Sequence, residues 1–184
     1  MMHFQPQDAY IIVDFQNDFC SGGTLAIPGA EDILPLINQL TIQAYNAGAF
    51  IVASRDWHPI NHISFQQRGG PWPVHCVQES VGAKFHPDLF LPSSVTIISK
   101  GINPEEEQYS AFDKTDLINL VRERHICRVF IVGLALDYCV KATAIDAIKL
   151  GLEAHVIMEG TKPVMRSNVA EITTEMRDLG VKIN

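Results

Sequence analysis

RVFIVGLALDYCVKATAIDAIKLG, residues 128–151, changes its period in the middle. Arg128–Gly133 is a short apolar run rich in β-branched residues, which reads as a strand buried on both faces. Val140–Leu150 instead sets Ala144, Ile145, Ala147 and Ile148 at helical spacing and stops at Gly151. A tight turn joins the two, and a helix begins near Cys139. The same alternation runs along the whole chain. Ala9–Val13, Ala49–Ser54, Val95–Ser99, Glu153–Met158 and Val181–Ile183 read as further strands. Ile33–Ala47, Thr115–Arg124 and Val169–Leu179 read as helices, the first stopped by Gly48 and the last by Gly180. Strand–helix alternation of this kind predicts an α/β protein with a mostly parallel sheet and helices on both faces.

The 184 residues suffice for one domain, and no repeat or Ser/Gly linker divides residues 1–184. Apolar residues make up 47% and charged residues 19%, proportions that fit a soluble globular chain. The longest apolar runs are strand-sized, so no bilayer span is expected. Met1–Gln7 lacks a basic region followed by an apolar core, so a secretory signal is not expected either. A net charge of −7 argues against a nucleic-acid partner. Cys20, Cys76, Cys127 and Cys139 form no CxxC pair. They read as free thiols of a cytoplasmic, reducing compartment, at most one of them with a chemical role. Nothing in the sequence chooses between a monomer and a homo-oligomer paired through helical faces.

In an open α/β sheet the ligand crevice lies beyond the carboxyl ends of the strands. Asp14, Lys100 and Cys139 each follow one of the strand candidates. An acid, an amine and a thiol at one sheet edge form a plausible nucleophile set. The helix start near Cys139 would lower its thiol pKa from about 8.5 towards neutrality and offer N–H groups to an oxyanion. Asp14 would take the thiol proton and pass it to a leaving amine. Lys100 would favour both anions and orient the carboxylate. Asp18, beside Gly22 and Gly23, reads as a turn aspartate.

The strand Ala49–Ser54 delivers Asp56 and His58 to the same edge. Two positions apart in extended chain, they point the same way and can meet one ion. His75, after Trp72 and Pro73, is the natural third ligand. One carboxylate and two imidazoles suit zinc, iron or manganese. His62 stands as a fourth ligand or an outer donor, although a hydrogen-bonded loop histidine is the commoner outcome. His3, His86, His125 and His155 read as structural or solvated. Phe19 and Trp72 are candidates for a pocket wall, with core packing an equal alternative. The segment Trp57–His86 reads as an ordered loop beside the crevice, and Glu105–Glu107 as a solvated face.

Several collinear stretches carry a family resemblance. They are Val13–Phe19, Arg55–Pro59, Asn61–Phe65, Trp72–Val77, Ser99–Gly101 with Tyr109–Phe112, and Gly133–Val140. Through them the chain resembles the nicotinamidase/pyrazinamidase group of the isochorismatase-like cysteine hydrolases. The resemblance implies a three-layer α/β/α fold around a parallel sheet and a triad of Asp14, Lys100 and Cys139. It also implies metal ligation by Asp56, His58 and His75, with His62 matching a ligand of only some members. Phe19, Trp72, Ala135 and Tyr109 match substrate-contacting positions. A cis peptide maps to Ala135–Leu136, which would aim the N–H groups of Leu136 and Cys139 at the oxyanion. Two departures concern substrate range: a short loop between Phe65 and Trp72, and Gln78-Glu79-Ser80 where many members carry Gly-Thr.

The implied reaction is hydrolysis of nicotinamide to nicotinate and ammonia through a thioester on Cys139, as in NAD salvage, with pyrazinamide as a second substrate. The metal, most readily zinc, would hold the pyridine nitrogen. The alternatives are an amidase of another small carboxamide or N-carbamoyl compound, and a non-catalytic metal- or ligand-binding protein. A two-His-one-carboxylate oxygenase would leave Asp14, Lys100 and Cys139 without a use.

Overall fold

Strand β1 (Asp8–Val13) is buried along its whole length and forms the middle of the sheet. The structure, a computed structural model, describes residues 3–184. Its other strands are β2 (Phe50–Asp56), β3 (Thr96–Lys100), β4 (Arg128–Leu134), β5 (Glu153–Lys162) and β6 (Lys182–Ile183). The sheet order is β3-β2-β1-β4-β5-β6, and every neighbouring pair is parallel. The strand order reverses between β1 and β4, so the switch point where such folds bind ligands lies at their carboxyl ends.

Successive residues of β1 serve opposite faces. Ala9, Ile11 and Val13 join a core with helices α2 (Leu117–Glu123), α3 (Lys141–Lys149) and α4 (Val169–Asp178). Tyr10 and Ile12 join a second core with α1 (Leu34–Asn46) and loop residues such as Phe15, Phe19, Ile27 and Leu89. The expected layering is therefore present, with three helices on one face and one helix plus loops on the other.

Most strand ends shift by a residue or two, and two boundaries differ more from the sequence expectation. β5 continues past Met158 to Lys162 because it bends across a register shift opposite Ile131 and Gly133, which a hydrophobic count cannot register. The turn after β4 is already helical: Leu136–Val140 forms a π-turn that runs into α3. Cys139 thus lies inside a helical turn rather than at its first residue. Gly133, at φ 109, has no alternative residue, because a Cβ there would overlap the Val13 backbone.

Candidate active site

Four strand ends converge at the switch point. β1 leads into Asp14, β2 ends at Asp56, β3 ends at Lys100, and the turn after β4 carries Cys139. Asp56 and Lys100 are paired in the sheet register. All four side chains are buried.

Lys100 is the hub. Its Nζ lies 2.7 Å from Asp14 Oδ2, 2.5 Å from Asp56 Oδ1 and 3.3 Å from Cys139 Sγ. Asp14 Oδ1 accepts the Ser54 hydroxyl at 2.7 Å, while Oδ2 takes no hydrogen bond besides the ion pair. One oxygen of Asp14, one of Asp56 and the sulfur of Cys139 all lie within 4.8 Å of one another. That gathers the Cys139 thiol and the Asp14 carboxylate at one spot, around the Lys100 ammonium.

The charges settle in an instructive way. Burial raises the Asp14 carboxyl above its ordinary value, and Lys100 offsets only part of this. Burial also acts on Asp56, but there Lys100 and His58 win and hold the carboxyl well below the usual carboxylate range. Burial opposes the charge on Lys100, yet Asp14 and Asp56 outweigh it and keep the ammonium. The Cys139 thiol is pushed well above its ordinary value by burial, against Lys100 and with the help of Asp14 and Asp56. This corrects the expectation of a thiol lowered by a helix start. Desolvation exceeds what a helical turn contributes, so the thiol rests protonated beside a base.

The three expected metal ligands meet. Asp56 Oδ2 lies 3.5 Å from His58 Nε2 and 3.7 Å from His75 Nε2. His58 Nδ1 donates to the Gly101 carbonyl at 2.9 Å, and His75 Nδ1 donates to the Pro73 carbonyl at 2.8 Å. Those bonds fix both tautomers and turn both Nε2 lone pairs towards the carboxylate. Burial disfavours a charged His58, but Asp56 outweighs it and raises the ring above its ordinary value. The spot draws positive charge, and an N2O donor set of this kind fits a divalent ion with room for further ligands. Gly101, at φ 64, is required, since a Cβ would overlap the His58 ring.

His62 does not join them. Its Nε2 donates to the Glu106 carbonyl at 2.9 Å, and its Nδ1 contacts the Ser64 hydroxyl at 2.7 Å. Burial and neighbouring His58 lower it to about 4, so it stays a neutral prop stacked 4.1 Å from the His58 ring. The acidic run is only partly the solvated face expected: Glu105 pairs with Arg68 and Glu106 with Lys114, but burial raises the Glu107 carboxyl above its ordinary value.

A small cavity opens over Cys139. Phe19, Trp72, Tyr109 and Ala135, the four expected contacts, all line it, together with Asp56 and His75. Trp72 Nε1 donates to the Tyr109 hydroxyl at 3.1 Å and stands edge-on to Tyr138. The cavity has aromatic walls, with a thiol at one side and the histidine–carboxylate cluster at the other.

The cis peptide lies at Leu134–Ala135, not at Ala135–Leu136. β4 extends one residue beyond Gly133, and Leu136 already belongs to the helical turn, which leaves the junction one bond earlier. The Leu136 N–H heads that turn, where N–H groups lack an intrahelical acceptor. Cys139 sits in the same turn.

Several supporting residues escaped the sequence reading. Leu25, Ile27, Tyr138 and Val164 also line the cavity. Asp137 accepts the N–H groups of Val164 and Met165 at 2.9 Å each, which seats Val164 in the wall. Asp18, read as a turn residue, ties distant loops instead, accepting Cys76 N–H at 2.7 Å and Thr24 N–H at 3.3 Å. Tyr138 could have been found from its place beside Cys139. Asp18 and Asp137 act on backbone groups, and Leu25, Ile27 and Val164 are ordinary apolar positions, so none of them leaves a motif.

Comparison with known proteins identifies the family. Residues 8–183 match the model of the isochorismatase domain. The nicotinamidase of Escherichia coli (strain K12) is 39% identical, over 86% of this chain and 84% of that one. The crystal structure of Pyrococcus horikoshii pyrazinamidase in complex with zinc superposes with a TM-score of 0.94 at 45% identity, covering 97% of this chain and 99% of that one. PnC1 from L. infantum in complex with nicotinate gives a TM-score of 0.93 at 37% identity, covering 100% and 95%. The chain belongs to the isochorismatase family, among its nicotinamidases and pyrazinamidases.

Proposed function

We propose that this protein is a cysteine amidohydrolase that converts nicotinamide to nicotinate and ammonia, and that it also accepts pyrazinamide. The observation that carries this reading is the shared wall: Asp56, His75 and Cys139 line one small cavity with aromatic sides. The relatives' names and the zinc of the P. horikoshii structure support it.

Asp56, His58 and His75 would hold a divalent ion, zinc by donor type with iron or manganese as alternatives, which supplies a Lewis-acid anchor for the pyridine nitrogen. Phe19 and Trp72 flank the ring and bring the carboxamide carbon over Cys139 Sγ. Asp14 removes the thiol proton as sulfur bonds to that carbon and the carbonyl electrons move onto oxygen. The N–H groups of Leu136 and Cys139 receive the oxyanion. Asp14 returns the proton to nitrogen, the C–N bond breaks, and ammonia leaves a thioester. Asp14 then takes a proton from water attacking the thioester and passes it to the departing sulfur; the acid released ionises to nicotinate, its proton going to solvent. Lys100 keeps Asp14 ionised between these transfers and holds it in line with the sulfur. Four free thiols suit a reducing, cytoplasmic setting.

The test is ammonia release from nicotinamide by zinc-loaded protein, with Cys139→Ala in parallel. Release by wild type and none by the variant is the expected result. Equal release by both would refute the nucleophile, and none by either would refute the substrate.

A further inference from the structure

A second group of potential ligands lies away from the cavity. Cys20 follows the 3₁₀ turn Asn17–Phe19, Glu31 belongs to the 3₁₀ turn Ala30–Ile33, and His86 closes the long loop Trp57–His86. One ligand atom from each lies within 4.8 Å of the other two. We propose that Cys20, Glu31 and His86 form a second metal site, for a borderline divalent ion such as zinc, that pins these three loops together.

The donor chemistry favours this reading over chance proximity. Thiolate, imidazole and carboxylate together select zinc and its neighbours rather than magnesium or calcium. A thiolate, a carboxylate and a neutral imidazole also balance a divalent ion to zero net charge. Glu31 is already placed, because its Oε1 accepts the Ser21 N–H at 2.6 Å. His86 is steadied by a 3.2 Å contact from the Asp88 N–H to Nδ1 and by the edge of Phe15. Binding costs that long contact at most. An ion on Nδ1 replaces the Asp88 N–H, and an ion on Nε2 moves the ring proton to Nδ1, opposite it.

Cys20 is buried, and burial followed by the Glu31 charge pushes its thiol up to about 12. On binding, sulfur gives its proton to solvent and its electron pair to the ion, so each ion bound near neutral pH releases about one proton. Cys20 and His86 border a surface cleft with Ser21, Gly22 and Gly23, which provides an entry path. Phe19, the neighbour of Cys20, lines the catalytic cavity. The ion would therefore stiffen one wall of that cavity from behind.

The experiment loads the full chain with zinc, removes free ion, and counts zinc per chain by mass spectrometry. Wild type is expected to hold one ion more than Cys20→Ala and than Glu31→Gln, whatever the occupancy of the Asp56 site. Cobalt loaded into a Cys139→Ala background should show thiolate-to-cobalt absorption that Cys20→Ala removes. Circular dichroism checks folding, and Glu31→Gln decides the matter if Cys20→Ala does not fold. Equal ion counts in wild type and the folded variants would overturn the site.

Discussion

Gln16 holds Asp56 with both ends of its amide: Nε2 donates to the Asp56 carbonyl at 2.7 Å and Oε1 accepts the Asp56 N–H at 2.8 Å. Gln16 Nε2 also donates to the Ala83 carbonyl at 2.9 Å. Gln16, three residues past the end of β1, thus fixes the backbone of the residue that ends β2, and with it the carboxylate facing His58 and His75.

Gln16→Ala removes these three bonds inside the protein. Each buried group left unpaired costs about 1–3 kcal/mol, so the melting temperature should fall by several degrees or more. Loss of such outer support typically weakens a metal site about 10–100-fold. Thermal melts and a zinc competition titration measure the two effects separately.

Ser54→Ala removes the hydroxyl that hydrogen-bonds Asp14 Oδ1. That bond favours the carboxylate and partly counters burial. Catalysis needs Asp14 ionised, so activity is present above its pKa and lost as pH falls through it. Without Ser54 the carboxyl rises further, and the acid limb of kcat/KM should move to higher pH. Profiles of both proteins check this, with the alkaline limb as the internal reference.

Lys100→Met leaves Asp14 and Asp56 buried without their shared cation. Removing one partner of a buried ion pair costs about 3–5 kcal/mol. Asp14, already raised, would rise further above its unfolded value. Its protonated form then adds stability below the unfolded pKa, and that stability is lost as pH rises through the folded pKa. The variant should therefore melt closer to wild type in mild acid than at neutral pH, with turnover absent throughout. Paired melts at two pH values give the answer.

Glu79 is exposed and holds φ 62, a left-handed conformation that suits glycine. Left-handed backbone costs a non-glycine residue about 1–2 kcal/mol, and glycine returns part of that through its freer unfolded chain. Glu79→Gly should stabilise by about 0.5–1 kcal/mol with unchanged turnover. Urea denaturation reads the difference directly.

The strand ends were legible because period and composition mark where a buried strand stops, and Asp14, Asp56, Lys100 and Cys139 stand at or just past those stops. His58 and His75 followed from spacing and loop chemistry. The state of the Cys139 thiol was not legible. It depends on desolvation by elements distant in sequence, and a local helix argument gave the opposite direction. Gln16, Ser54, Asp18 and Asp137 were silent for another reason. They bond backbone atoms or a single oxygen, and such bonds impose no pattern on the neighbouring residues. The cis peptide was displaced by one bond because the length of β4 past Gly133 is set by its pairing with β5, where Leu134 meets Lys162.

The resting protonation of Cys139 also bears on how the protein ages. Peroxides and alkylating agents attack thiolates, not thiols. Cys139, buried and held neutral beside Asp14, presents them with a poor target, whereas Cys127 is exposed. Oxidants should therefore spend themselves on a surface sulfur of no catalytic use. The reactive one is armed only as it bonds to the carbon of a bound amide and Asp14 takes its proton.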